Sequence, residues 1–163
     1  MRVLEKKLDA LMRYAAADND FEKEKLRVEI RKLLCETDPE IIYHEKEKAV
    51  RKLLLKLNAP DHMVGFPYLV EAVLLTMKNE LHVMNMTWGI YSPIASEHGT
   101  SSDAVQRGIT NVIDAIWDKT SVDEMERVFP GIYKERREKA PNARFISRIA
   151  NLVKYDLYED GAE

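Results

Sequence analysis

Residues 90–117 read IYSPIASEHGTSSDAVQRGITNVIDAIW. This stretch decides the fold, because it spells two helices joined by a tight turn. The first helix runs through Ile90, Ile94 and Ala95 and is expected to stop at Gly99, which suits a left-handed C-cap. The second opens at Thr100 or Ser101, with Asp103 three residues after Thr100 in a capping-box-like arrangement. Its apolar residues Val105, Ile109, Val112, Ile113 and Ile116 fall on one stripe of an amphipathic helix. The other side carries Asp103, Gln106, Arg107, Thr110, Asn111 and Asp114, and Gln, Arg, Thr and Asn all bond the edges of bases. Ala104 and Gly108 are small enough to let such a helix sit deep in a groove. This is the pattern of a helix-turn-helix whose second helix is the recognition helix. Any helical hairpin with a glycine turn gives a similar string, so the pattern alone leaves DNA recognition and plain packing both open.

Composition narrows the field. The chain has 163 residues, enough for one ordinary domain or a small one with an appendage, and 45% hydrophobic residues provide for a core. The net charge of −3 gives no global sign of nucleic-acid binding. Divided at Asn58, residues 1–57 hold 14 Lys and Arg against 12 Asp and Glu, whereas residues 58–163 hold 11 against 16. The helix-turn-helix therefore sits in the acidic part, which argues against strong non-specific DNA binding through phosphates. Residues 134–148 reverse the sign locally, with Lys134, Arg136, Arg137, Lys139, Arg144 and Arg148 against Glu135 and Glu138. They make either a phosphate-facing patch or a solvated charged surface. The single cysteine, Cys35, cannot form an internal disulfide and fits a reducing cytosol. Charges at Arg2, Glu5, Lys6 and Lys7 interrupt any signal-peptide pattern, and the apolar runs are too short to span a membrane. A cytoplasmic protein without a membrane partner is expected.

Outward from the central stretch, the chain reads as helical throughout, with no convincing β-strand. Residues 1–57 give three helices: a stripe of Leu4, Leu8, Leu11, Met12 and Ala15, a break at residues 17–20, then Leu26, Ile30, Leu33 and Leu34. A third helix restarts at Asp38-Pro39 and runs through Ile42, Ala49, Val50, Leu53, Leu54 and Leu57 to a stop at Asn58-Ala59-Pro60. Beyond Pro60, helices are expected at 66–79, 80–87, 90–98, 102–118, 122–128 and 142–158. Ser121 with Glu124 makes a second capping box, and Asn142 is expected to cap the last helix.

The second part resembles the C-terminal DNA-binding effector domain of the stage 0 sporulation protein A family. Pro60, His62, Gly65, Phe66, Tyr68, Leu69 and Ala72 fit its opening Pro-x-His-x-x-Gly-aromatic-x-Tyr-Leu-x-x-Ala. Thr87, Ile90, Tyr91, Ile94 and Ala95 fit the next segment, Val105, Arg107, Ile109, Ile113 and Trp117 the recognition helix, and Pro141, Asn142, Phe145 and Ile146 the last helix. The resemblance spans roughly Asn58 to Leu157. It implies a six-helix effector domain, 58–163, containing the helix-turn-helix, and with the helical N-terminal segment read at 1–57 an all-α fold is expected. It also implies binding to double-stranded DNA in transcriptional control. Where the family's recognition helix carries Arg, Glu, Arg and Arg, this chain has Ala104, Gln106, Arg107 and Thr110. A changed target sequence, or weakened DNA binding, follows from losing guanidinium groups. The family's receiver domain has no counterpart in residues 1–57, which are too short and wholly helical for a doubly wound fold.

From these readings Gln106, Arg107, Thr110 and Asn111 are the candidate base readers, with Ala104 beside them. Ser101, Ser102 and Lys119 are candidates for phosphates at the helix ends, and Lys134, Arg136, Arg137 and Arg144 for the flanking backbone. Self-association through the first three helices is expected, with Leu26, Ile30, Leu33, Leu53 and Leu57 seeking a partner surface. Trp88 and Trp117 are expected in the core. His44, His62, His82 and His98 lack metal-ligand spacing, Ser101-Ser102 lack a nucleophile elbow, and the six glycines form no phosphate loop. Neither an enzyme nor a cofactor or metal is therefore expected. The rival reading is a protein-interaction module that has kept the fold, lost the DNA and forms mixed dimers with a full-length regulator.

Overall fold

The computed structural model describes residues 2–35, 39–131 and 139–155. Among these residues the secondary structure is entirely helical. The chain divides into two compact units, Met1–Lys46 and Glu47–Glu163.

In the first unit α1 (Arg2–Ala16) and α2 (Asp20–Cys35) pack against each other, followed by the start of α3 (Pro39–Lys56). Ala10 and Leu26 are buried. Arg13 bonds Glu29 at 2.8 Å, and the Arg27 guanidinium donates to the Tyr14 hydroxyl at 3.1 Å. Leu8, Leu11 and Met12, the strongest apolar stripe of α1, stay more than half exposed. Asn19 starts α2 with a side-chain bond to the Glu22 amide at 2.7 Å, which explains the break read at residues 17–20.

The second unit begins inside α3, eleven residues before the division expected at Asn58. Val50, Leu53, Leu54 and Leu57 are all buried in its core. Leu53 and Leu57 therefore need no second copy: the effector core itself covers them. The end of α3 is fixed by its own turn. Asn58 takes φ 56°, its N–H reaches the Leu55 carbonyl, and the Ala59 N–H reaches Leu54, a Schellman closure. The buried Thr120 hydroxyl then donates to the Leu57 carbonyl at 2.5 Å.

From there α4 (Gly65–Lys78) runs through the centre, burying Phe66, Leu69, Ala72 and Val73 among others. The two helices expected at 80–87 and 90–98 differ from the reading. A 3₁₀ turn spans Glu80–Asn85, a π turn spans Thr87–Tyr91, and only then does α5 (Ser92–Glu97) take α-geometry. Pro93, lacking an N–H, fits at the start of α5. The change of pitch moves Trp88 off the apolar side: it is 74% exposed, against the expectation of a core residue, while Ile90 and Tyr91 are buried. After α6 (Ser102–Lys119), α7 (Val122–Val128) and the turn at Phe129-Pro130-Gly131, the last described helix is α8 (Asn142–Lys154). Trp117 is buried as expected, tilted against Phe129 at 5.3 Å, and Phe129 stacks on Phe145. A bond from Lys154 to Glu80 at 3.2 Å joins α8 to the 3₁₀ turn and holds the ammonium above its ordinary value. No described helix is long and apolar enough to cross a membrane.

Candidate nucleic-acid interface

The helix-turn-helix is α5, the turn 98–101 and α6. Gly99 takes φ +61°, as a glycine C-cap requires, and the Thr100 N–H returns to the Ala95 carbonyl at 2.9 Å. Ser101, not Thr100, is the N-cap of α6: its Oγ accepts from the Ala104 N–H at 3.2 Å. Ser92 and Ser102 join hydroxyls at 3.0 Å, linking the first turns of the two helices. The turn is also tied to α4. His98 Nε2 pairs with Glu71 Oε1 at 2.5 Å, and its ring meets Tyr68 edge-on at 4.9 Å.

Helix α6 is set against α4 at Gly65 and Gly108. A Cβ at Gly65 would lie 2.0 Å from the Gly108 carbonyl oxygen, so the two backbones touch. A Cβ at Gly108 would meet Gly65 Cα and Tyr68 Cδ2, each at 3.2 Å. Gly108 thus serves the crossing with α4, not a deep fit into a groove, which corrects the reading of its small size. Val105, Ile109, Val112, Ile113, Ile116 and Trp117 are buried, as the apolar stripe requires.

On the outer side Gln106, Arg107 and Asn111 are exposed, and among the described residues the Arg107 guanidinium has no carboxylate partner. Asp103 lies one turn before Arg107, and Asp114 is paired with Lys139 at 3.2 Å. Ala104 is half-buried. Thr110 is half-buried too, and its hydroxyl is engaged by Gln106 and Asn142. The hydroxyls of Ser101 and Ser102 are both used inside the protein, as cap and as partner of Ser92, so a phosphate at this end would face backbone N–H groups first. Lys119 is exposed at the far end of α6, and Arg144 is exposed on the first turn of α8. Arg148 leaves the basic patch: its Nε donates to the Val128 carbonyl at 2.6 Å, closing the C-terminus of α7. Lys134, Arg136 and Arg137 lie outside the described residues.

Asn142 does not cap α8. The N-cap position is Pro141, without a side-chain bond, and Asn142 turns its amide to Tyr91 and Thr110. Ser121 does cap α7, since its Oγ accepts from the Glu124 N–H at 3.3 Å, while the Glu124 carboxylate pairs with Arg127. Among the described residues no group of His, Cys, Asp and Glu is arranged to hold a metal ion. Tyr68, Glu71 and Lys139, which position or neutralise the helix-turn-helix, were not singled out for those roles in the sequence. Their contacts join residues far apart in the chain.

Residues 50–153 match the family model described as sporulation initiation factor Spo0A C terminal. The chain belongs to this family. The match begins within α3 and takes in its last turns, in keeping with the burial of Val50, Leu53, Leu54 and Leu57 in the second unit. The Spo0A C-terminal domain is the DNA-binding effector of a sporulation regulator, so DNA binding and transcription regulation are the setting of α5 and α6.

Proposed function

We propose that the protein is a sequence-specific DNA-binding regulator of transcription that lays α6 in the major groove. The observation that carries this reading is the outer face of α6. Gln106, Arg107 and Asn111 stand exposed on a helix whose opposite face is buried against α4, in a domain of the Spo0A C-terminal family. Arg107 pairs with guanine, and Gln106 and Asn111 suit adenine, because their paired donors and acceptors match those base edges. The α6 N-terminus and Lys119 meet phosphates at the two ends of the helix, and Arg144 meets the flanking backbone. Lys134, Arg136 and Arg137 are further backbone candidates. Ala104 leaves room beside Arg107 and reads nothing itself. With Asp103 on the same face, phosphate attraction is modest and base contacts carry a larger share of the affinity.

A second copy is the occupant of the exposed apolar face of α1, formed by Leu8, Leu11 and Met12. Paired helix-turn-helix domains present two half-sites one helical turn of DNA apart, which a single domain cannot. In this reading Met1–Lys46 gives the dimer and Glu47–Glu163, which takes in the last turns of α3, gives the DNA contacts.

Selection of bound duplexes from a random pool tests the first statement. A consensus with two related half-sites is expected. Recovery of no sequence above background would favour a domain that binds protein instead. Light scattering on the full chain tests the second statement. A mass of about 38 kDa, twice the 18.9 kDa chain, is expected, and a monomer at tens of micromolar (the order at which weak interfaces still show) rejects it.

A further inference from the structure

Asn142 is the first residue of α8, yet its side chain works away from that helix. Its Nδ2 donates to the Tyr91 hydroxyl at 3.1 Å and to Thr110 Oγ1 at 3.0 Å. Tyr91 closes the π turn before α5, and Thr110 lies midway along α6. One amide therefore joins three elements, two of which lead into or form the helix-turn-helix. The direction of these bonds is determined. Thr110 has one hydroxyl proton and gives it to the Gln106 carbonyl at 2.8 Å, so towards Asn142 it can only accept. That fixes the amide with its NH2 group facing α6.

A second fastening lies one turn further along. Lys139, three residues before Asn142, pairs with Asp114, four residues after Thr110, at 3.2 Å. The stretch 139–142 thus runs beside α6 and holds it at two successive turns. Position 110 was read from the sequence as a base reader. In the folded chain its hydroxyl has no proton to offer a base without breaking a bond inside the protein.

We propose that Asn142 is a positioning residue that sets which flank of the recognition helix faces DNA, with Thr110 as its anchor and not as a base contact. This rests on α6 being the recognition helix. Sequence reading is then left to Gln106, Arg107 and Asn111, while the Lys139–Asp114 pair removes a negative charge from the edge of the interface. A hydroxyl at position 110 matters for the angle of the helix and contributes the same amount whatever base pair lies below it.

The experiment uses the full chain as wild type, Thr110→Val, Thr110→Ser, Asn142→Ala and the Thr110→Val/Asn142→Ala pair. Each is measured by urea unfolding and by affinity for the selected duplex and all its single-base-pair variants. Thr110→Val is expected to weaken every duplex by one common factor, about three- to tenfold for one lost hydrogen bond, with the ranking of variants unchanged. Thr110→Ser is expected to restore wild-type affinity. Asn142→Ala is expected to weaken every duplex at least as much as Thr110→Val, because it also gives up the bond to Tyr91, and the pair to cost less than the sum of the two single changes, because they share one bond. Lost preference at a single base pair in Thr110→Val overturns the proposal. So does full additivity in the pair, or lower stability with unchanged affinity. If the wild type prefers no duplex, the recognition-helix reading fails and positioning on DNA fails with it. The unfolding cycle then still reports whether Asn142 and Thr110 are coupled in the fold.

Discussion

Gly65 and Gly108 meet backbone to backbone, with no room at Gly65 for even one more carbon. The contact places the start of α4 directly under the middle of α6. The two positions are not equivalent. At Gly65 the obstacle is the Gly108 carbonyl, which cannot rotate away, whereas at Gly108 it is Gly65 Cα and the edge of the Tyr68 ring. Gly65→Ala is expected to destabilise by about 3 kcal/mol or more, at the upper end for overpacking. Gly108→Ala is expected to change stability by under about 1 kcal/mol, since the helix gains roughly as much from alanine as the close contact loses. Urea midpoints of the two variants check the order, and equal midpoints would contradict it.

Arg107→Ala is expected to abolish specific binding and leave the fold intact. Its guanidinium is exposed and pairs with no carboxylate among the described residues. A bidentate guanine contact is worth roughly 1–3 kcal/mol of discrimination. A mobility shift on the selected duplex, with circular dichroism as the fold control, decides it. Unchanged affinity removes Arg107 from the mechanism.

DNA affinity is expected to fall with salt along a shallow slope. The described phosphate candidates are few, Lys119 and Arg144 chief among them, and Lys139 is shared with Asp114. At about −0.9 per neutralised phosphate, a slope of log affinity against log salt of roughly −2 to −4 is expected. A titration from low to moderate salt measures it, and a value near zero speaks against phosphate contacts.

A chain shortened to begin at Glu47 is expected to unfold cooperatively, and one beginning at Asn58 is not. The shorter chain loses Val50, Leu53, Leu54 and Leu57 from the core. Burial of each leucine stabilises by about 1.5–3 kcal/mol, so three consume most of a stability on the order of 5–15 kcal/mol. Thermal melts followed by circular dichroism separate the two. A cooperative melt of the Asn58 form near that of the longer one would show that α3 is dispensable.

The helices and their stops were legible because their signals are local. Gly99, Ser101, Ser121 and the Pro39 start are each a single residue acting on its own turn. Trp88 was misplaced because an apolar pattern read at one α-helical pitch cannot reveal a 3₁₀ turn followed by a π turn. The outward placing of Gln106, Arg107 and Asn111 was visible in the period of α6. The engagement of Thr110 was not, since its partner Asn142 lies 32 positions away and looks like an ordinary helix cap. The same holds for Gly108, whose size has meaning only beside Gly65. For the division of the chain, α3 reads as one helix, and only the contacts of its last turns assign them to the second unit.

The bond from Thr120 to the Leu57 carbonyl spans 63 positions and has a consequence for synthesis. A growing chain emerges from its N-terminus, and the partners of α1 and α2 lie within a few turns of one another, so that hairpin closes early. The end of α3 emerges next with Leu53, Leu54 and Leu57 uncovered. The Leu57 carbonyl gains its partner only once α6 and Thr120 have been made. Until the later core residues arrive, the nascent protein carries a bare leucine edge, and it is then that an early chaperone would have most to hold.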